Sequence, residues 1–169
     1  LSRSFDNGHR RLVLELWSSL SVRFSDFHSG QVIEAGPYAV SEDEVLRFAG
    51  AYDPQWFHTD PVAASGGRFG GLIASGWHTC AIAMRLVADA ALKDSESFAS
   101  PGLAYVKWPH PVRPGDALTL RATVLETRRS RQKSHLGILR WRWQLLKADG
   151  VEVLDLEATS LFDLASGSG

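Results

Sequence analysis

Gly76-Trp77-His78-Thr79-Cys80-Ala81-Ile82-Ala83-Met84-Arg85-Leu86-Val87-Ala88-Asp89-Ala90-Ala91-Leu92 is the stretch on which the fold turns. Its length and alanine content predict a helix. Trp77, Ala81, Ile82, Met84, Leu86 and Val87 spread around most of its circumference. A helix without a broad polar face is usually buried on several sides. Arg85 and Asp89 stand four apart, the spacing for an ion pair along one face. Lys93-Asp94-Ser95-Glu96-Ser97 is a polar break, and beyond it the apolar period changes from helical to two.

Downstream, Leu118, Leu120, Ala122 and Val124 alternate with polar residues, as do Leu139, Trp141, Trp143 and Leu145, then Leu154, Leu156, Ala158 and Ser160. Each series predicts a strand with one wet face. Asp149-Gly150 between the last two predicts an antiparallel hairpin. Leu103 to Trp108 reads as another strand, and Gln31-Val32-Ile33-Glu34 as a short one. One buried helix followed by an antiparallel sheet is an α+β arrangement, with the sheet wrapped around the helix.

Upstream of the helix, Ser41-Glu42-Asp43-Glu44 has the form of a capping box, with a short helix running to about Gly50. Asp60-Pro61 opens another turn, Asp as N-cap and Pro at the first helical position. Between them lies Asp53-Pro54-Gln55-Trp56-Phe57-His58. A carboxylate and an imidazole on one short turn can converge on a single volume, hold a water and exchange its proton. The same two residues also read as a capping Asp and a packed His. Gly76 begins the long helix, where backbone N–H groups favour negative charge. Close helix–sheet packing is a second reason for a glycine there.

The chain has 169 residues, enough for one domain with a real core, and 44% are apolar, an ordinary globular share. A formal net charge of −1 gives no electrostatic case for nucleic acid. The lone Cys80 has no internal partner for a disulfide and reads as a small buried residue, so cytoplasmic residence is expected. His78, Arg85 and Asp89 interrupt the most apolar stretch, so no membrane span is expected. The segment Arg10 to Trp17 is a basic-flanked apolar run, short and charged, and no signal-peptide reading is assigned to it either way. No second histidine stands a helical turn from His58 and no Cys/His spacing suits zinc, so no metal is expected.

Four linked motifs carry a resemblance: the block from Phe48 to Asp60 that contains Asp53 and His58; Phe69-Gly70-Gly71-Leu72-Ile73-Ala74-Ser75-Gly76 leading into the helix; Pro111-Val112-Arg113-Pro114-Gly115-Asp116-Ala117-Leu118; and an arginine-rich turn before a long strand ending at Asp149-Gly150. In these the chain resembles the MaoC-like acyl dehydratases and (R)-specific enoyl-CoA hydratases. The resemblance implies a single hotdog domain over residues 27–165, an N-terminal extension over 1–26 and a tail over 166–169. It implies a hydro-lyase that reversibly adds water to the 2,3 double bond of an enoyl-CoA or enoyl carrier-protein thioester. Asp53 and His58 then hold and activate the water, and the Gly76 N–H polarises the thioester carbonyl. Gln55, Gly71 and Ser75 are the substrate-binding residues, with no cofactor beyond the thioester itself. A homodimer, two sheets joined edge to edge, is implied as well.

The chain departs from the commonest family block, Asp-x-Asn-Pro-x-His. Gln55 stands in the place of the Asn, Trp56 in that of the proline, and Ser75 where many members have His. A thioesterase of the same fold and a non-catalytic thioester-binding subunit are the alternative readings. Arg128 to His135 is a basic cluster that reads either as a contact for CoA phosphates or as a solvated hairpin loop. His78 reads as a packing residue, and Trp141 with Trp143 as core or dimer-facing.

Overall fold

The computed structural model of the chain describes residues 22–165. The apolar run at Arg10 to Trp17, most of the expected extension and the 166–169 tail lie outside the described residues. Five strands form one antiparallel sheet in the order β1-β3-β4-β5-β2, with β1 Val32–Ala39, β2 Ser97–Lys107, β3 Ala117–Arg129, β4 Leu136–Lys147 and β5 Glu152–Asp163. Four α-helical segments come between β1 and β2: α1 Glu42–Tyr52, α2 Trp56–Thr59, α3 Pro61–Ser65 and α4 Gly76–Val87. A π-helical turn at Ala88–Leu92 continues α4 to the end predicted for it.

The period of two does what it predicts. Leu118, Leu120, Ala122 and Val124 on β3, Leu139, Trp141, Trp143 and Leu145 on β4, and Leu154, Leu156 and Ala158 on β5 are all buried. They close over Ile82, Ala83, Leu86 and Val87 of α4 in one apolar cluster. Both tryptophans belong to this core, and Trp141 donates its Nε1–H to the buried hydroxyl of Ser160 at 3.2 Å. Phe24 packs on Phe162 with ring centroids 5.3 Å apart, so the apolar packing reaches into the segment taken as an extension. The outer face of the sheet is charged and self-neutralising: Arg140 pairs with Glu126 and Glu157, and Arg142 with Asp155.

Three expectations differ from what forms. β1 is longer than its sequence signal and runs through Gly36-Pro37, with a register shift between Ala35 and Tyr38. An edge strand tolerates a proline, whose missing N–H faces no neighbour. β2, the other edge, begins at Ser97, well before Leu103, because irregular register through Ser100-Pro101-Gly102 hides its period. The third difference is α4. Its inner side is buried, but Trp77 is 59% exposed and Met84 43% exposed, with Ala81 exposed between them. In the single chain α4 is buried on one side only, and an apolar stripe at i, i+4 and i+7 faces outward. No helix among the described residues is long and apolar enough to cross a membrane.

Candidate active site

The Ser41 cap sets α1: its Oγ accepts the Glu44 N–H at 3.2 Å. The reciprocal half of the capping box does not form, because the Glu44 carboxylate is turned to Tyr38 and His78. α1 ends with Asp53 as its C-cap. His58 sits on the helical turn α2, where the sequence had suggested a loop. Asp60 caps α3 by accepting the N–H groups of Val62 and Ala63, both at 3.0 Å. Three short helical segments in series thus replace a loop and hold Asp53 and His58 at fixed angles.

The strap Ile73-Ala74-Ser75 draws the pieces together. Ile73 N–H bonds the carbonyl of Phe57 at 3.3 Å, and Ala74 N–H that of Val112 at 2.8 Å. The Ile73 carbonyl receives Nδ1 of the buried His58 at 2.7 Å. A carbonyl only accepts, so in the neutral ring the proton sits on Nδ1 and Nε2 carries a lone pair. Nε2 lies 3.5 Å from Oδ2 of Asp53. Two acceptors at that distance cannot bond each other, but they can share one donor, such as a water.

Asp53 is held at both oxygens. Gln55 Nε2 donates to Oδ1 at 2.8 Å, and Ser75 Oγ donates to Oδ2 at 2.7 Å. The Ser75 hydroxyl in turn accepts the Trp77 N–H at 3.2 Å as the N-cap of α4. These bonds, the Ser75 one first, hold the Asp53 carboxyl below its ordinary pKa against the opposing effect of burial, with a smaller contribution from His58.

Gly76 is the first residue of α4, so its N–H has no intrahelical acceptor, and no other described residue supplies one. It lines a cavity of about 240 Å³ together with His58, Phe69, Thr79, Trp108 and His110. A Cβ built on Gly76 would lie 2.7 Å from the Trp108 ring, so glycine is required for this close approach. Both reasons for a glycine, packing and an open N–H, therefore hold at one residue.

The three residues expected at the substrate sit differently from one another. Gln55 is exposed with its amide committed to Asp53, and Ser75 is buried and committed to Asp53 and Trp77. Neither lines the cavity. Gly71 packs against the Arg113 guanidinium at φ +149° and is also away from that lining. Sequence reading passed over Trp108 and His110, which lie on the strand exit that leads to the Pro111-Val112 motif. His110 Nδ1 donates to the Glu152 carbonyl at 2.9 Å, which leaves its Nε2 free as an acceptor. Among the described residues, no three His, Cys, Asp or Glu side chains gather as metal ligands would. The basic segment beyond Arg128 is an exposed loop in which Arg128 pairs with Glu126 and Arg129 donates to the Ser134 carbonyl.

With fold and site in view, the comparisons place the chain. It belongs to the MaoC like domain family, whose pattern matches residues 26–139. The uncharacterized protein YdeM of Bacillus subtilis is 36% identical over 118 residues, 70% of this chain and 82% of YdeM. The 3-hydroxyacyl-thioester dehydratase Z of Mycobacterium tuberculosis is 38% identical over 86 residues, 50% of this chain and 56% of that protein. The crystal structure of a MaoC-like dehydratase from Rhodospirillum rubrum superimposes with a TM-score of 0.76 at 34% identity, over 82% of this chain and 94% of its own. The family thus includes dehydratases, and the hotdog arrangement implied by the sequence motifs is the fold of the chain.

Proposed function

We propose that the protein is a hydro-lyase that adds water reversibly to the 2,3 double bond of an enoyl thioester, carried on CoA or an acyl carrier protein. The observation that carries this reading is the facing of the His58 Nε2 lone pair and Asp53 Oδ2 at 3.5 Å, beside a cavity that His58 and the Gly76 helix start both line. A water donating one hydrogen to each acceptor presents its own lone pair to Cβ. Both Asp53 oxygens already carry donors, whereas His58 Nε2 has none among the described residues. We therefore assign proton acceptance to His58 and orientation of the water to Asp53.

As the C–O bond forms at Cβ, the π electrons move to Cα and the thioester oxygen. An N–H aimed at that oxygen lowers the barrier by about 3 kcal/mol in favourable cases. The proton on His58 is then delivered to Cα, and the ring is neutral again. The exposed stripe Trp77, Ala81 and Met84, beside Trp108 and the free edge of β2, supports a homodimer built on that side.

Loss of enoyl absorbance from crotonyl-CoA tests the reading. Asp53→Asn and His58→Ala are each expected to lower kcat by about 10²- to 10⁴-fold. Unchanged rates in both variants would refute it. Thiol release from a saturated acyl-CoA, with no loss of enoyl absorbance from crotonyl-CoA, would replace it with a thioesterase.

A further inference from the structure

A second cavity, of about 340 Å³, lies in the groove between α1 and α4. Its lining differs from that of the first. Tyr38 OH donates to Glu44 Oε1 at 2.6 Å, and His78 Nε2 meets the same oxygen at 2.9 Å. Phe48 stacks on the His78 ring at 4.7 Å, with only 10° between the planes. Arg47 and Arg85 complete the charged lining. The Glu44 hydrogen bond pushes Tyr38 up to about 12, so its hydroxyl remains a donor at ordinary pH.

The charges around this groove balance, but one cation in its lining, Arg47, is left open to an anion. Glu44 is the one carboxylate in the lining, and its Oε1 is occupied by Tyr38 and His78. Arg85 is engaged by Asp89 at 2.6 Å, but Arg47 has no ion pair among the described residues. Phe48, Ile82 and Ala81 supply apolar wall for a short carbon chain. The volume is at the small end for ligand cavities, so it suits such a chain and not a nucleotide. His78 is 3% exposed and its Nδ1 has no hydrogen-bond partner. Burying a polar atom unsatisfied costs stability, and such atoms call for an explanation beyond packing.

Two residues tie the groove to the acid–base pair, although its lining shares none with that of the first cavity. Tyr52, in its lining, directly precedes Asp53. His78 lies one helical turn beyond Ser75, which bonds Asp53. The end of α1 and the start of α4 thus meet at Asp53 and Ser75, and Arg85 lies two turns beyond His78 along α4.

We propose that this groove is the subsite for the far end of the acyl group, and that it selects a short acyl chain ending in a carboxylate, which Arg47 and Arg85 bind. The inference rests on the thioester reading above, and it names the substrate class of that same site. A carboxylate held by guanidinium groups makes charge-assisted hydrogen bonds, the strongest of the ordinary kinds.

Calorimetric titration of the full chain with glutaryl-CoA and pentanoyl-CoA tests it. The two ligands have five-carbon saturated acyl chains and the same CoA, and they differ in the terminal carboxylate. Glutaryl-CoA is expected to bind about tenfold more tightly or better. In Arg47→Met and Arg85→Met, each verified as folded by its melting curve, the ratio of the two affinities is expected to fall toward one. Equal binding of the two esters by the wild type overturns the proposal, as does binding of neither, or a ratio that survives in both variants. Equal weakening of both esters in the variants also overturns it, and assigns the arginines to the CoA phosphates instead. Neither ligand can be hydrated. Discrimination without hydration of enoyl-CoAs would therefore sink the hydratase reading alone, and hydration without discrimination would sink this one alone.

Discussion

Ser75 shows how one hydroxyl serves two partners. It caps α4 through the Trp77 N–H and passes its own hydrogen to Asp53, 22 residues away in sequence, thereby coupling the helix start to the carboxylate. Because Asp53 titrates below its ordinary pKa, it stays ionised as the pH falls through the usual carboxylate range. The stability this supplies is complete above the unfolded-state pKa of the group and is lost as the pH falls through the lower folded value. Ser75→Ala should raise the Asp53 pKa, so kcat/KM should fall further at acid than at neutral pH, by about tenfold more. A pH–rate profile with an unmoved acid limb would show that Ser75 only caps the helix. At this scale the sequence picks out Asp53, His58 and Ser75 as candidates but carries nothing about the assignment of hydrogens. The Ile73 carbonyl that fixes the His58 tautomer has no sequence signature, since every residue has a carbonyl.

Among the elements, α4 and the segment after β2 approach most closely at Gly76 against Trp108. Elsewhere in a helix, Gly→Ala stabilises by about 1 kcal/mol. Here the new Cβ would meet ring carbons at 2.7 and 2.8 Å, and overpacking of that kind costs about 1–3 kcal/mol. Gly76→Ala should therefore destabilise the protein in urea titrations, and adding Trp108→Ala should recover part of the loss. Additive effects of the two substitutions would show that the contact is not the cause. The central strands were legible because one wet and one buried face impose alternation. Both edge strands were misjudged in length, since Pro37 in β1 and Ser100-Pro101-Gly102 in β2 break the pattern where no second neighbour demands it.

At the level of the whole molecule, the exposed side of α4 asks for a cover. Trp77 and Trp108 meet edge to face at 5.5 Å, and Met84 continues the apolar surface one further turn along the helix. The outer face of the sheet offers no comparable surface, since its arginines and carboxylates are already paired. Sedimentation should show a dimer for the wild type, and Met84→Asp should shift it to monomer at micromolar concentration. A wild type that sediments as a monomer, or a Met84→Asp variant that stays dimeric, would refute the α4 interface.

Much of this protein was determined by sequence alone: a helix apolar around most of its circumference, strands of period two and a linked set of motifs imply an α+β hotdog chain with Asp53, His58 and Gly76 in one family pattern. These are local properties, set by backbone periodicity and by which side chains can cap, turn or carry a proton. Tertiary structure alone decided that Ser75 and Gln55 face Asp53 and not the cavity, that Glu44 leaves its cap for Tyr38 and His78, and that Trp108 closes on Gly76. Each of these depends on the distance between segments far apart in the chain, which burial of the shared core sets and no local pattern encodes.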